Sequence, residues 1–258
     1  MKIISLNIWG AKVHDPFIEF VKNHDKVDVF CFQEIYSSQS GVKISKGMYM
    51  NIYDELKNIL SNYQSLFGDV QETVDNDGLV NFDVKMGQAT FIKNDILVEK
   101  VEHFMIHGKK NSANKENNFS VPGGMLCTKI NSSDGLFTIC NIHGAALPGD
   151  KLDNSLRLEQ SKKIKHTVDI EQNKGVILCG DFNLLPTTKS IGILSENMQN
   201  LIKDFNIERT RSAFSPYFQK PDEQKFADYA FLSPDIKIKD FKVLDDQVSD
   251  HLALYIEF

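Results

Sequence analysis

The feature that most constrains this chain is the run at residues 27–32 (VDVFCF), which is almost unbroken in apolar character and only as long as a strand. A strand of that kind has to be covered on both faces, which points to an α/β protein. The run closes on Gln33-Glu34. Upstream, residues 2–6 form a second short β-like run that ends at Asn7. Between the two, Asp15-Pro16 predicts a helix start, with Asp as N-cap and Pro at the first helical position. Phe17, Ile18, Phe20 and Val21 continue at helical spacing. Residues 176–179 repeat the pattern, an apolar strand closing on Gly180-Asp181-Phe182-Asn183.

The rest of the chain reads as helix over 52–60, 152–170 and 188 to about 205. Strands are expected at 88–93, 124–130, 136–142, 229–232, 236–244 and 252–258, and a polar, mobile loop at 107–118. Residues 3–11 (IISLNIWGA) and 137–145 (FTICNIHGA) echo one another, each ahead of a helix and an apolar strand ending in an acid, Glu34 or Asp181. The echo suggests two β-α-β halves with polar groups at matching strand ends, where open α/β sheets place their sites. With no Pro/Gly/Ser linker in 258 residues, one domain over 1–258 is expected.

Composition narrows the function. The 29 basic and 35 acidic residues leave a net charge of −6, which disfavours general coating of a polyanion but permits one basic groove. Cys31, Cys127, Cys140 and Cys179 are far apart, so they read as reduced, buried thiols. No signal segment or membrane span is recognisable, and a soluble, monomeric, cytoplasmic protein without a protein partner is expected.

The strand ends carry Asn7, Gln33-Glu34, Asn141-x-His143, Asp181-x-Asn183 and Ser249-Asp250-His251, and Asp228 opens a further strand. Carboxylates and amides are hard oxygen ligands, and histidine moves protons near neutral pH. Together they point to metal-assisted attack on phosphate. Each alone has a plainer explanation: Asn7 or Asn183 as a cap, Asp181 as a turn acid, His143 as a structural histidine.

As an ordered set, LNIWG (6–10), FQE (32–34), NIH (141–143), GDFN (180–183), DY (228–229) and SDH (249–251) resemble the endonuclease/exonuclease/phosphatase superfamily. The resemblance implies a four-layer α/β sandwich of two mixed β-sheets flanked by helices. It implies Mg²⁺, with Mn²⁺ as a substitute, on Glu34 with Asn7 and Asp250 close by. It pairs His251 with Asp228, sets Asp181 to position or deprotonate water, and gives Asn183 and His143 the phosphoryl oxygens. Trp9 and His143 stand where abasic-site endonucleases carry Asp and Tyr, so that branch is disfavoured, and His143 fits the deoxyribonuclease and sphingomyelinase-like branches. The expected activity is a phosphodiesterase, with DNA or RNA slightly ahead of a lipid headgroup or small molecule. A phosphomonoesterase and a non-catalytic phosphate-binding protein are the alternatives.

Three further features bear on the substrate. Trp9 reads either as a platform for a base or headgroup or as packing. Residues 209–226 interleave Arg209, Arg211, Lys220 and Lys225 with aromatics and could grip a phosphate backbone. Lys162, Lys163 and Lys165 read as a solvated helix face.

Overall fold

The computed structural model describes residues 1–75, 78–113, 120–171, 175–218 and 224–258. The first half of the chain contributes β1 (Lys2–Asn7), α1 (His14–Asn23), β2 (Val29–Ser37), β3 (Ile44–Ser45), β4 (Met48–Tyr49), α2 (Ile52–Ile59), β5 (Tyr63–Glu72), β6 (Val74–Asp75), β7 (Gly78–Leu79), β8 (Lys85–Lys93) and β9 (Leu97–His107). The second half contributes β10 (Gly123–Ser132), β11 (Gly135–His143), α3 (Ser155–Glu171), β12 (Gly175–Asp181), α4 (Lys189–Ser195), β13 (Gln199–Asn200), α5 (Leu201–Asp204), β14 (Asp228–Leu232), β15 (Asp240–Val243) and β16 (Leu254–Glu257).

Two six-stranded sheets result, ordered β15-β16-β1-β2-β8-β5 and β13-β14-β12-β11-β10-β9. Each is mixed, with one parallel pair at its centre, β1 with β2 and β11 with β12. The echo in the sequence therefore marks two corresponding β-α-β units. Alternation along the strands sends Ile3, Val29 and Cys31 into the core shared by the sheets, while Ile4, Phe30 and Phe32 pack with Phe17 and Val21 of α1 on the outer face. On the second sheet, Ile164 and Val168 of α3 join the apolar cluster. The order helix, sheet, sheet, helix is the sandwich expected.

The sheets are also joined by amides. Gln33 Nε2 donates to Asn141 Oδ1 at 2.7 Å, and Asn141 Nδ2 donates to Phe32 O and Ala89 O at 3.1 and 2.9 Å. Buried polar groups are affordable only when satisfied in this way.

Several sequence expectations are corrected. Strands β5 and β9 escaped notice because they are the outermost strands of their sheets, and a half-wetted edge carries no continuous apolar run. Helix α1 has Val13 as its N-cap, so Asp15 and Pro16 fall within the first turn, where a missing N–H costs nothing. The helical stretch from 188 breaks into α4, β13 and α5, with Asn197 at φ +57° between them. Lys162 and Lys163 are solvated, but Lys165 is buried beside Asp169. Cys127 and Cys140 are not reduced thiols: they face each other across the β10–β11 ladder and form a disulfide, with Cα atoms 4.1 Å apart. A hairpin brings distant cysteines into register, which reading strands singly misses. Cys31 and Cys179 are free and buried. The disulfide removes cysteine usage as an argument for the cytoplasm. Among the described residues no helix is long and apolar enough to cross a membrane. Of the loop expected at 107–118, His107 closes β9 and residues 114–119 lie outside the described residues.

Candidate active site

At one end of the sandwich the inner-face strand ends meet. His143, Asp181 and Asp228 lie side by side in register across β11, β12 and β14. Asn7 closes β1 on the opposite sheet, and its Nδ2 donates to Glu34 Oε1 and Asp181 Oδ2, each at 3.0 Å. One amide thus bridges acids from both sheets.

Glu34 is not at a strand end as expected. It sits inside β2, where three steps from Phe32 to Ile35 answer two on β8, and its φ is +54°. This bulge turns Glu34 out of the alternation that carries Phe32 to the helix side and brings it to the inner face. Gly180, before Asp181, has φ +139°, and a Cβ there would lie 2.1 Å from Ile142 O, so only glycine lets β12 run this close to β11. After Asn7, three consecutive residues, Trp9, Gly10 and Ala11, take left-handed φ of 53°, 59° and 56°. Such a turn is strained for Trp and Ala, and Asn7 Oδ1 braces it by accepting from Trp9 N at 3.0 Å.

The titrating groups are buried and mutually oriented. His251 Nδ1 lies 2.9 Å from Asp228 Oδ2, while its Nε2 faces Asp181 Oδ2 at 3.7 Å and Asp250 Oδ1 at 3.9 Å. Burial pulls its pKa down, but Asp228, Asp250 and Asp181 prevail and push it up to about 9, with Arg211 opposing them. Burial also acts on Asp181, yet His251, His143, Arg211 and Lys151 hold its carboxyl below the usual carboxylate range. Burial dominates at Asp250 and raises it. Ser249 Oγ donates to Asn7 O at 2.7 Å, tying this last loop to β1. Asn183, in the left-handed region at φ +55°, donates its N–H to Asp181 Oδ1 at 2.8 Å.

The structure therefore brings together all eight residues singled out: Asn7, Glu34, His143, Asp181, Asn183, Asp228, Asp250 and His251. A cavity of about 270 Å³ opens onto Glu34, His143 and Asp250 among them, and is also lined by Trp9, Met86 and Val121. Ligand atoms of Glu34, His143 and Asp181 lie within 4.8 Å of one another, as do those of Asp181, Asp228 and His251. His143 Nε2 is buried without a hydrogen-bond partner. The neighbouring carboxylates of Glu34 and Asp181 make an oxygen donor set that suits a divalent cation, with His143 Nε2 facing them at 3.6 and 3.9 Å. Asn7 turns its amide nitrogen toward these acids, so it would meet a cation only after presenting Oδ1.

Sequence reasoning missed Lys151, which has no motif around it. Its Nζ donates to Asn183 Oδ1 and Ala146 O, both at 2.6 Å, and burial lowers its pKa to about 8. The loop carrying it is pinned by Arg157, whose Nη1 donates to Leu152 O at 2.7 Å, and by Gln160, which accepts from Ala145 N at 2.9 Å. Arg211, expected on a basic lip, turns inward: Nη1 lies 3.2 Å from His251 Nε2. Arg209 stays on the surface, paired with Asp245 at 3.0 Å. Residues 219–223, and Lys220 with them, lie outside the described residues.

The model of the Endonuclease/Exonuclease/phosphatase family matches residues 4–251. The chain belongs to that family. Endonuclease/exonuclease/phosphatase proteins are phosphoric ester hydrolases, and this chain is an enzyme of that class. Solved structures share the fold at low identity. An endonuclease/exonuclease/phosphatase from Beutenbergia cavernae is 16% identical with a TM-score of 0.74, over 99% of this chain and 70% of that one. A mannosyl-6-phosphatase of Bacteroides thetaiotaomicron is 18% identical with a TM-score of 0.70, over 100% and 98%. The human Nocturnin catalytic domain with bound sulfate is 17% identical with a TM-score of 0.71, over 99% and 92%. No curated protein matches the sequence.

Proposed function

We propose that this enzyme hydrolyses a phosphoric ester by in-line attack of water, with Mg²⁺ as its metal and Mn²⁺ as a substitute. The observation that carries the reading is the Asn7 bridge, which holds Glu34 of one sheet and Asp181 of the other about a single point. Glu34, with Asn7 and Asp250 beside it, would hold a divalent ion, which would supply positive charge to the phosphoryl and leaving oxygens. Asp181, kept ionised by the cations around it, orients the attacking water and takes its proton. Asp228 fixes His251 through Nδ1, so that Nε2 faces the reacting centre. Asn183 and His143 donate to non-bridging oxygens as charge builds on them. No covalent enzyme intermediate is needed. The fold relatives named for a mannosyl-6-phosphatase activity and for a bound sulfate support a tetrahedral oxyanion here.

A nucleic acid is the second reading of the substrate, favoured by the half-buried Arg209 guanidinium 5.2 Å over the Phe218 ring. The test is an activity screen in Mg²⁺ and Mn²⁺ on plasmid DNA, single-stranded DNA, RNA, bis-p-nitrophenyl phosphate, p-nitrophenyl phosphate and sphingomyelin. At least one ester should turn over, and chelation by EDTA should abolish its hydrolysis. Inactivity on every ester with either metal would leave the non-catalytic phosphate-binding reading.

A further inference from the structure

A second cavity, of about 450 Å³, lies on the outer face of the second sheet, between strands β9 and β10 and the C-terminal half of helix α3. It draws on none of the eight residues of the reacting centre. Its volume falls in the range of about 300–1,000 Å³ that holds small ligands. Strand register gives its floor a polar end and an apolar end. Lys129 of β10 stands opposite Lys100 of β9 and Thr138 of β11; four residues along β10, Met125 stands opposite Phe104, with Ile106 beyond it. At about 3.4 Å per residue the two ends are roughly 14 Å apart. Cys127 brings the disulfide to the floor between them, and Thr167 and Ile170 of α3 form the roof.

Two observations say what such a groove would hold. The first is an orphaned hydroxyl at the polar end. Thr138 is 1% exposed, and its Oγ1 has no hydrogen-bond partner among the described residues. A buried hydroxyl left in that state lacks a bond that an acceptor on a ligand would complete. The second is the sign of the charge. Lys100, Lys129 and Lys163 line the groove against one carboxylate among the described residues, Glu102, which Lys100 engages at 2.7 Å. This is a local excess of cations in a chain whose net charge is −6.

We propose that the groove binds a free, unbranched fatty acid, with its carboxylate at Thr138 and Lys129 and its chain laid over Cys127, Met125 and Phe104 toward Ile106. The apolar floor calls for hydrocarbon, the lysines for an anion, and the Thr138 hydroxyl for an acceptor; a carboxylate accepts, whereas an ammonium head only donates. Met125 and Ile106 are each 1% exposed beneath the helix, so a chain reaches them only after leaving a bilayer. That selects a free fatty acid over a membrane surface. The inference does not depend on which ester the enzyme hydrolyses.

The test is calorimetric titration of the whole enzyme with dodecanoate, octanoate and dodecyltrimethylammonium, each below its micelle concentration. Dodecanoate should bind at least about tenfold more tightly than octanoate, since each fully buried methylene is worth about fourfold. Dodecyltrimethylammonium, with the same chain and the opposite charge, should bind at least about tenfold more weakly than dodecanoate. Thr167→Phe, which fills the groove from the helix side, should remove dodecanoate binding, and Lys129→Gln should weaken it about tenfold, the worth of one charge-assisted hydrogen bond. Thr138→Val separates a ligand contact from a structural one. It deletes a hydroxyl that bonds to nothing inside the protein, so the free enzyme should melt roughly 2–4 °C higher while dodecanoate binds about 3–10-fold more weakly. Absence of dodecanoate binding, equal binding of all three amphiphiles, or full affinity in Thr167→Phe and Lys129→Gln would overturn the proposal. So would binding to phosphatidylglycerol vesicles without binding of dodecanoate, which would make the groove a membrane contact, or a wild-type dimer that Thr167→Phe dissociates, which would assign it to a second copy of the chain.

Discussion

The two β-α-β units put the same residue types to opposite uses. In β1-α1-β2 the functional groups stand on distorted backbone: Trp9 on a left-handed turn and Glu34 on a bulge at φ +54°. In β11-α3-β12 His143 and Asp181 close their strands in direct register, and the positive φ falls on Gly180 and Asn183 beside them. Exposure follows the same division, with 19% at the Glu34 side chain against 2% at Asp181. Even the echoed asparagines differ: Asn7 bridges two acids, whereas Asn141 joins the sheets through backbone carbonyls and Gln33. In the first unit the left-handed backbone falls on Trp9 and Glu34 themselves, whereas in the second it falls on the neighbours of Asp181 and leaves Asp181 in regular strand register.

The largest expected effect lies in the regular unit. Asp181→Asn should lower kcat by about 10²–10⁴-fold with little change in KM, because the amide keeps the shape and loses the proton acceptor. Steady-state kinetics on any cleaved ester check this, and near-wild-type turnover would remove Asp181 from the chemistry.

The sheet that carries this unit should also be the acid-sensitive one, through His107 at the end of β9. Burial, helped by the charges of His143, Lys163 and Arg157, lowers the pKa of His107 to about 4 from an ordinary 6.5. The unfolded chain therefore binds this proton first as pH falls, so the associated stability is complete above about pH 6.5 and is lost toward pH 4. About 2–3 kcal/mol is at stake. Urea unfolding of metal-free protein at pH 7 and pH 4.5 should show a smaller acid loss in His107→Gln than in wild type; equal losses would acquit His107.

The smallest effect is expected in the distorted unit. Glu34→Gln should weaken Mg²⁺ or Mn²⁺ binding at least about tenfold while the fold survives, since a neutral amide replaces a charged ligand of the same shape. Calorimetric titration measures it, and unchanged affinity would mean that the bulge serves something other than the ion.

How much of this was legible in the sequence depends on whether a residue announces itself locally. The apolar runs ending in FQE, NIH and GDFN placed Glu34, His143, Asp181 and Asn183, because a covered strand and its polar end are both local patterns. The bulge at Glu34 was not legible, since it arises from pairing with β8. Arg211 was visible as a cation near phosphate chemistry, but its inward turn follows from the bridge between Arg211 and His251, a contact 40 residues long in sequence. Lys151 gave no signal, because its burial depends on Asn183 and on Arg157 holding its loop.

The amides joining Gln33 to Asn141, and Asn141 to Phe32 O and Ala89 O, bear on how such an enzyme can change over time. Each sheet owns half of the reacting centre, so sliding one sheet by a single residue would separate Asn7 from Asp181, and these bonds forbid that slide. Closure of one sheet upon the other is then unavailable as a way to sense a substrate. Variation among descendants of this chain has to accumulate in the segments that rim the mouth, while the outer strands β5, β13 and β15 are free to lengthen, fray or acquire insertions without reaching the chemistry.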